Sequence, residues 1–298
     1  MRAGTLWTNL SLRRLAAELM QRGFRVSVPV VVQLLHKHRL GRRKALKKRA
    51  FKHHPHSDRQ FQNIARLRTL YEQAGNPIFS IDTKKKELIG DLFREGHTYT
   101  QETIETLDHD FPTLASGVIY PHCIYDLCRN HGHINLGISH DTSEFACDSV
   151  AFAWEHYGRL HYPRATSLLL LCDGGGSNAA NRYVFKYALE KLADRIGLEI
   201  RVAHYPPYKS KYNPIEHRFL PHVTRACQGV IFISVATAIE KMSQTRTTKG
   251  LTTTVHLLQG DYPIGQKAPK NYKKTMRIAF DEDLPKWNYR AVPTKEGS

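Results

Sequence analysis

The run 167–173, "SLLLLCD", limits the architecture of this chain more than any other stretch. Apolar side chains in unbroken succession cannot alternate between core and water. A strand made of them is buried on both faces, as a central strand is when helices cover both sides of its sheet. Such a strand holds its tip rigidly, and here the tip is Asp173, followed by Gly174, Gly175 and Gly176. Asp-Gly is common turn chemistry. Three glycines also remove every side chain that would keep a second backbone, or a phosphate, away from the carboxylate.

The flanking segments supply the rest of such a sheet. "PIFSIDTKKKELIG" alternates into a strand, and "GVIYPHCIYDLC" and "HGHINLGIS" read as two more, joined through "RNHG" as a hairpin. "DTSEFACDSVAFAWEHYG" has helical spacing with Asp141 or Thr142 as cap. "ANRYVFKYALEKLADRIG" is a long amphipathic helix ending at Gly197, "LEIRVAHYP" a strand, and "NPIEHRFLPHVTRAC" the start of a further helix. The order β-β-β-α-β-α-β-α predicts an α/β fold. Its mixed five-stranded sheet begins with three antiparallel strands, continues through parallel crossovers, and carries helices on both faces.

Upstream, "SLRRLAAELMQRG" places Leu12, Leu15, Ala16 and Leu19 on one helical face, stopped by Gly23. Ser27 can cap a second helix with Pro29 in its first turn, turning Val31, Leu34 and Leu35 inward. This pair is expected to form a small helix-turn-helix module within 1–45. Residues 46–76 read as a basic linker ending in a packing helix, 77–250 as the main domain, and 251–298 as a C-terminal extension.

Charge identifies the partner. The net charge is +17, and residues 1–57 hold 14 Lys/Arg against one acid, Glu18. Within that segment "KHRLGRRKALKKRAFKHH" contains Arg42, Arg43, Lys44, Lys47 and Lys48 and no carboxylate. Such a block cannot neutralise itself and calls for a polyanion, nucleic acid above all. No apolar run approaches the roughly 20 residues of a membrane span, and no export signal precedes the first arginines. The cysteines at 123, 128, 147, 172 and 227 form no CxxC pair, which points to reduced thiols and the cytoplasm. The histidines lack zinc spacing.

Three acids occupy informative places: Asp82 within the first strand, Asp173 at the end of the fourth, and Glu216 in the first turn of the helix after the fifth. If strands one and four are neighbours, these carboxylates converge and repel one another unless cations neutralise them. Hard oxygen donors suit Mg²⁺ or Mn²⁺, and two such ions serve in-line phosphodiester displacement. Asn213, Pro214 and Glu216 also spell a capping box, so Glu216 is open to either role. Asp108, Asp110, Asp126 and Asp141 read as turn, cap or packing residues. Lys84 and Lys86 share the face of Asp82 by strand period and could hold DNA phosphates, as could Lys209, Lys211 and Arg218 around Glu216. "HYGR" at 156–159 fits one element of a tyrosine recombinase, but it closes a helix and has no nucleophile in a suitable setting.

"FSIDTKKKELIG", "HDFP", "IYDL", "SHDTSEFA", "DGGGSN" and "HYPPYKSKYNPIEHR" together resemble the DDE transposases of bacterial insertion sequences. The subgroup is the one with the Rhodopirellula transposase DDE domain, and the resemblance runs from about residue 10 to residue 290. It implies an RNase H-like core over 77–250 and the triad Asp82, Asp173 and Glu216. It also implies chemistry with two Mg²⁺ ions, for which Mn²⁺ can substitute. The implied partners are the DNA of transposon ends and targets, joined by a homo-oligomer in a synaptic complex at a bacterial nucleoid. Two departures stand out: Tyr208 and Tyr212 occupy a loop that usually carries Gly and Trp, and "FLPHVTRACQGVIF" is unlike the usual sequence there. Members generally begin with a longer N-terminal region, which implies a shortened copy. The competing expectation is a decayed transposase that acts only as a DNA-binding protein.

Overall fold

The structure, a computed structural model, describes residues 8–43, 54–107 and 111–294. Lys44, Lys47, Lys48, Asp108 and Asp110 therefore lie outside the described residues. The chain divides into two units, 1–51 and 52–298.

In the first unit, α1 (Leu12–Gln21) starts where the Ser11 side chain accepts the Arg14 N–H, and α2 (Val28–Lys37) carries Pro29 in its first turn. Their buried residues are Ala16 and Val31. Gly23, at φ +88°, sits in the turn between them. Ser27 holds the cap position of α2 without a side-chain bond, and Leu34, expected to face inward, is 38% exposed.

The second unit is built on one sheet. Its elements are α3 (Ser57–Gln73), β1 (Ile78–Thr83), β2 (Glu87–Ile89), β3 (Gly117–Asp126), β4 (His131–Gly137) and α4 (Ser143–Ala153). A π-helical turn, Trp154–Gly158, carries α4 on into α5 (Arg159–His161). Then follow β5 (Ser167–Cys172), α6 (Tyr183–Ile196), β6 (Glu199–His204), α7 (Ile215–Arg218), α8 (Leu220–Ala226) and α9 (Val235–Ser243). The chain closes with β7 (Thr252–Leu258), α10 (Tyr272–Thr275), β8 (Ile278–Phe280) and β9 (Asn288–Ala291).

The strand order is β7-β4-β3-β1-β5-β6-β9-β8, with β2 paired to β3. β1 is antiparallel to β3 and β3 to β4, while β5 runs parallel to β1 and β6 to β5. The central strands β4-β3-β1-β5-β6 thus reproduce the expected RNase H-like arrangement. The crossover helix α6 ends as expected, with Gly197 in the left-handed region at φ +69°.

β5 is buried from Leu168 to Cys172, as its unbroken apolar run requires. Leu168 and Leu170 join Phe79, Ile124, Val150 and Leu189 under α4 and α6. Leu169 and Leu171 join Ile78 and the α3 residues Ile64, Leu67 and Tyr71 on the other face. Each such side chain contributes about 1.5–3 kcal/mol, so β5 anchors both layers. Beyond β1, the face shared with α3 is covered by α7, α8 and α9, where Ile215, Phe219 and Met242 pack on Cys123, Tyr125 and Ile134.

Three features depart from expectation. The first predicted strand is two, β1 ending at Thr83 and β2 starting at Glu87 after Lys84, Lys85 and Lys86, with β2 paired to β3. The predicted helix from Asn213 to Cys227 breaks at Phe219 (φ −128°, ψ −60°). Pro221 cannot donate to the carbonyl four residues back and instead falls in the first turn of α8. Among the described residues the sheet also has nine strands rather than five: β2 is added beside β3, and segment 251–298 contributes β7 to one edge and β8 and β9 to the other.

Candidate active site

Ser80 lies opposite Leu171 in the parallel pair β1–β5. Two residues further along each chain, Asp82 comes beside Asp173, on neighbouring strands about 4.8 Å apart. By strand period both acids share the face of Ile78 and Leu169, and α7 lies over this face. The coupling between the acids is electrostatic as well as geometric. The Asp82 carboxyl is pushed up to about 8 by burial, then by the charges of Asp173 and Glu216, and it shares a hydrogen bond with Glu216; the Thr83 N–H offsets this only in part. Burial and the Glu216 charge also raise Asp173, against a hydrogen bond from the Gly175 N–H.

The mooted capping box is absent. Asn213 turns its side chain to β1, accepting the Ser80 hydroxyl (2.5 Å) and donating to the Ile81 carbonyl (3.2 Å). Ser80 Oγ in turn accepts the Ile215 N–H (3.0 Å). The first turn of α7 is therefore held by a serine two residues before Asp82, and the side chain of Glu216 is left half-buried beside Asp82. This clamp joins the strand of one acid to the helix of another.

Asp173 has its own support. His204, fully buried at the end of β6, faces the Asp173 carbonyl with Nδ1 (2.9 Å) and the Tyr289 hydroxyl with Nε2 (2.8 Å). A carbonyl only accepts, so Nδ1 carries the proton and Nε2 accepts from Tyr289. The His204 carbonyl accepts from Gln60 of α3, which also exchanges hydrogen bonds with Asn288. This buried network fixes the last ordered peptide before the glycines. Of these, only Gly176 has positive φ (+61°), and a Cβ on Gly175 would stand 3.8 Å from Asp173 Oδ2. The other two glycines thus leave the carboxylate bare rather than relieve backbone strain.

Asp141 is nearer the site than expected. Its carboxylate accepts from Thr83 Oγ1 (3.2 Å) and from Ser177, linking the end of β1 to the glycine loop, while Thr142 caps α4. Asp126 keeps its packing role, held by the Tyr162 hydroxyl and the N–H groups of Cys128 and Arg129. Ser80, Asn213 and His204 carry no catalytic chemistry of their own, and only their places within the "FSIDTKKKELIG" and "HYPPYKSKYNPIEHR" motifs could have marked them.

Among the described residues no lysine or arginine forms an ion pair with the three acids. No three His, Cys, Asp or Glu side chains among them already form a metal cage. The donor chemistry nonetheless fits a hard divalent cation: the donors are carboxylate oxygens whose mutual repulsion no cation among the described residues relieves. Lys84 follows the last residue of β1, with its N–H still bonded to the Pro121 carbonyl of β3 (2.9 Å), and its ammonium pairs with Glu87, which also binds Arg94 at 2.6 Å. Lys86, Lys211 and Arg218 are exposed and Lys209 is half-buried, while Arg42 and Arg43 are exposed in the first unit. A groove of about 460 Å³ between α4, α6 and residues 263–267 takes in Asp141, Gly176 and Ser177 but none of the three acids. No helix among the described residues is long and apolar enough to cross a membrane.

No curated protein matches the chain in sequence. Among solved structures, the Mos1 mariner paired-end complex with Mn is 13% identical at a TM-score of 0.46, over 80% of this chain and 72% of that one. The paired-end complex with Mg is 11% identical at 0.45, over 85% and 76%. These likenesses are too loose to carry a functional argument. The family model of the Rhodopirellula transposase DDE domain, by contrast, matches residues 1–293, and the chain belongs to that family of transposases.

Proposed function

We propose that this transposase binds the ends of an insertion sequence and cuts and joins DNA by in-line displacement at phosphodiesters, with Asp82, Asp173 and Glu216 as its catalytic carboxylates. One observation carries the reading. Acids from three distant segments meet beside the tip of a rigid strand, close enough to push Asp82 up to about 8, with no ion pair to a lysine or arginine among the described residues. The three would hold two Mg²⁺ or Mn²⁺ ions, which when bound supply charge neutralisation and activation of the attacking and leaving oxygens. The chain's own part is orientation. Ser80 and Asn213 set Glu216 over Asp82, His204 sets the peptide of Asp173, and the bare Gly174–Gly175 backbone lets the DNA strand approach. Lys86, Lys209, Lys211 and Arg218 would hold phosphates on either side, with Lys84 joining them only by leaving Glu87.

In the first unit α2 would enter the major groove, and the basic segment with Arg42, Arg43, Lys44, Lys47 and Lys48 would track the backbone. Two DNA ends require two such units, so the working species would be a homo-oligomer. The test incubates the protein with duplexes carrying the ends of its own element in Mg²⁺ or Mn²⁺. Nicked and joined strands are expected, and Asp173→Asn is expected to abolish them. Tight, specific binding with no cleavage in either metal would establish the DNA-binding-only reading instead.

The basic segment makes a separate expectation. Residues 1–51 carry all but one of the 14 Lys/Arg of 1–57, and each neutralised phosphate steepens the fall of affinity with salt by about 0.9 in log–log slope. Deleting 1–51 should therefore flatten the salt dependence of duplex binding severalfold, read by titration from low to moderate salt. An unchanged slope would place the DNA track on the second unit.

A further inference from the structure

The segment 208–212 reads "YKSKY" and ends four residues before Glu216. Its first residue stands in an unusual place. The Lys209 N–H closes a four-residue turn on the Pro206 carbonyl (3.1 Å), with Pro207 second and Tyr208 third. Tyr208 has φ +62°, the left-handed conformation that the third position of a type II turn demands and that glycine normally fills. A tyrosine there is strained through its Cβ, and it gains nothing in packing. Its side chain is 69% exposed and makes no ring contact among the described residues. Tyr212 is 49% exposed, with its ring set edge-on to Phe61 (5.2 Å between centroids) and the Lys211 ammonium 5.1 Å from its centroid. The Lys209 ammonium lies 6.0 Å from the same ring.

We infer that Tyr208 and Tyr212 form a stacking platform for an unpaired DNA base next to the phosphodiester held at the three acids. The inference rests on the proposed catalytic role of those acids and names what the adjacent loop grips. Exposed aromatic faces accept any base, and lysines between them attract the strand's phosphates, the combination by which proteins hold single-stranded nucleic acid. A protein partner of mainly apolar character would not match two lysine ammoniums about the Tyr212 ring, whereas a polyanion does. Backbone strain without a packing return is characteristic of binding positions, and here the strained residue leaves its ring exposed in the loop that leads into the helix of Glu216.

The experiment measures binding in EDTA, so that it stands apart from cleavage. The full chain is titrated with a duplex bearing a short unpaired 3′ extension, and with the blunt duplex, each carrying 2-aminopurine at the junction. The parent is expected to bind the extended duplex about tenfold more tightly than the blunt one and to quench the unpaired 2-aminopurine by stacking. Tyr208→Gly should melt no lower than the parent, since glycine relieves the left-handed strain, yet lose most of that preference and of the quenching. Tyr208→Phe should keep both, because stacking needs the ring and not the hydroxyl. A Tyr208→Gly protein with the parent's preference and quenching would overturn the inference, as would a Phe variant that behaves like Gly. An inactive triad with intact quenching would instead count against the catalytic reading alone.

Discussion

Glu216→Gln is expected to melt within a few degrees of the parent and to cut DNA at least about a thousandfold more slowly. The stability half follows from the clamp. The first turn of α7 is held by Ser80 Oγ on the Ile215 N–H, and Asn213 is occupied with β1, so no helix cap is lost with the carboxylate. Glutamine keeps the shape, can still bond to Asp82, and removes one of the two neighbouring charges that raise it. The activity half follows from charge. A neutral amide is a poor donor to a divalent cation, and losing about 4 kcal/mol of transition-state stabilisation costs about a thousandfold in rate. Melting curves with and without Mg²⁺ add a readout independent of turnover. Ligand binding raises stability by mass action, so the metal-induced rise of the parent should shrink in the variant. A Gln variant that cuts like the parent would remove Glu216 from the catalytic set.

His122→Leu should gain on the parent in stability by about 2 kcal/mol as the pH falls from 8 to 5. His122 is fully buried in β3, near the ring of Phe145, and neither of its ring nitrogens has a partner among the described residues. Burial alone holds its imidazole down to about 3, far below the ordinary 6.5. A folded-state value below the unfolded one means that its stability contribution is whole above pH 6.5. It is lost as the pH falls from there towards 3, because the unfolded chain takes up a proton that the folded chain refuses. His133 and His204, held down to about 3 and about 4, act in the same direction. Asp82, pushed up, acts in the opposite one and stabilises the fold on acidification. Comparing the variant with the parent cancels these shared contributions and isolates His122. For a unit of this size the gain is about 4–8 °C between the two pH values, read from paired melts. At pH 8 leucine should be neutral or better, since it leaves no buried polar atom unpaired. A difference independent of pH would show that His122 protonates without unfolding.

Much of this site is legible in the sequence alone. The apolar run of β5 demanded a two-sided central strand, and alternation, hairpin and crossover signals ordered the remaining core strands around it. Register then followed: parallel neighbours that end on Asp82 and Asp173 bring the two acids level. What stayed illegible has particular causes. The lysines after Asp82 continue the strand by period, but the strand is interrupted there, and the ion pair of Lys84 with Glu87 has no mark in the pattern. Asp141 looked like a cap because its contact with Thr83 depends on how α4 meets the end of β1, a long-range packing result with no local mark.

By itself, then, the sequence determined whatever rests on local pattern and charge. That covers the buried strand, the helical periods, the basic N-terminal segment, and three acids at strand and helix ends. Only the tertiary structure decided that Asn213 and Glu216 form no capping box, although Asn-Pro-Ile-Glu spells one. That turn is held instead by a serine more than 130 residues away in the chain. Tertiary structure likewise made the C-terminal segment part of the site, by setting Tyr289 of β9 against His204 behind Asp173. Hydrogen bonds between distant segments leave no periodic trace along a chain, and they form only after the hydrophobic layers have brought the strands together.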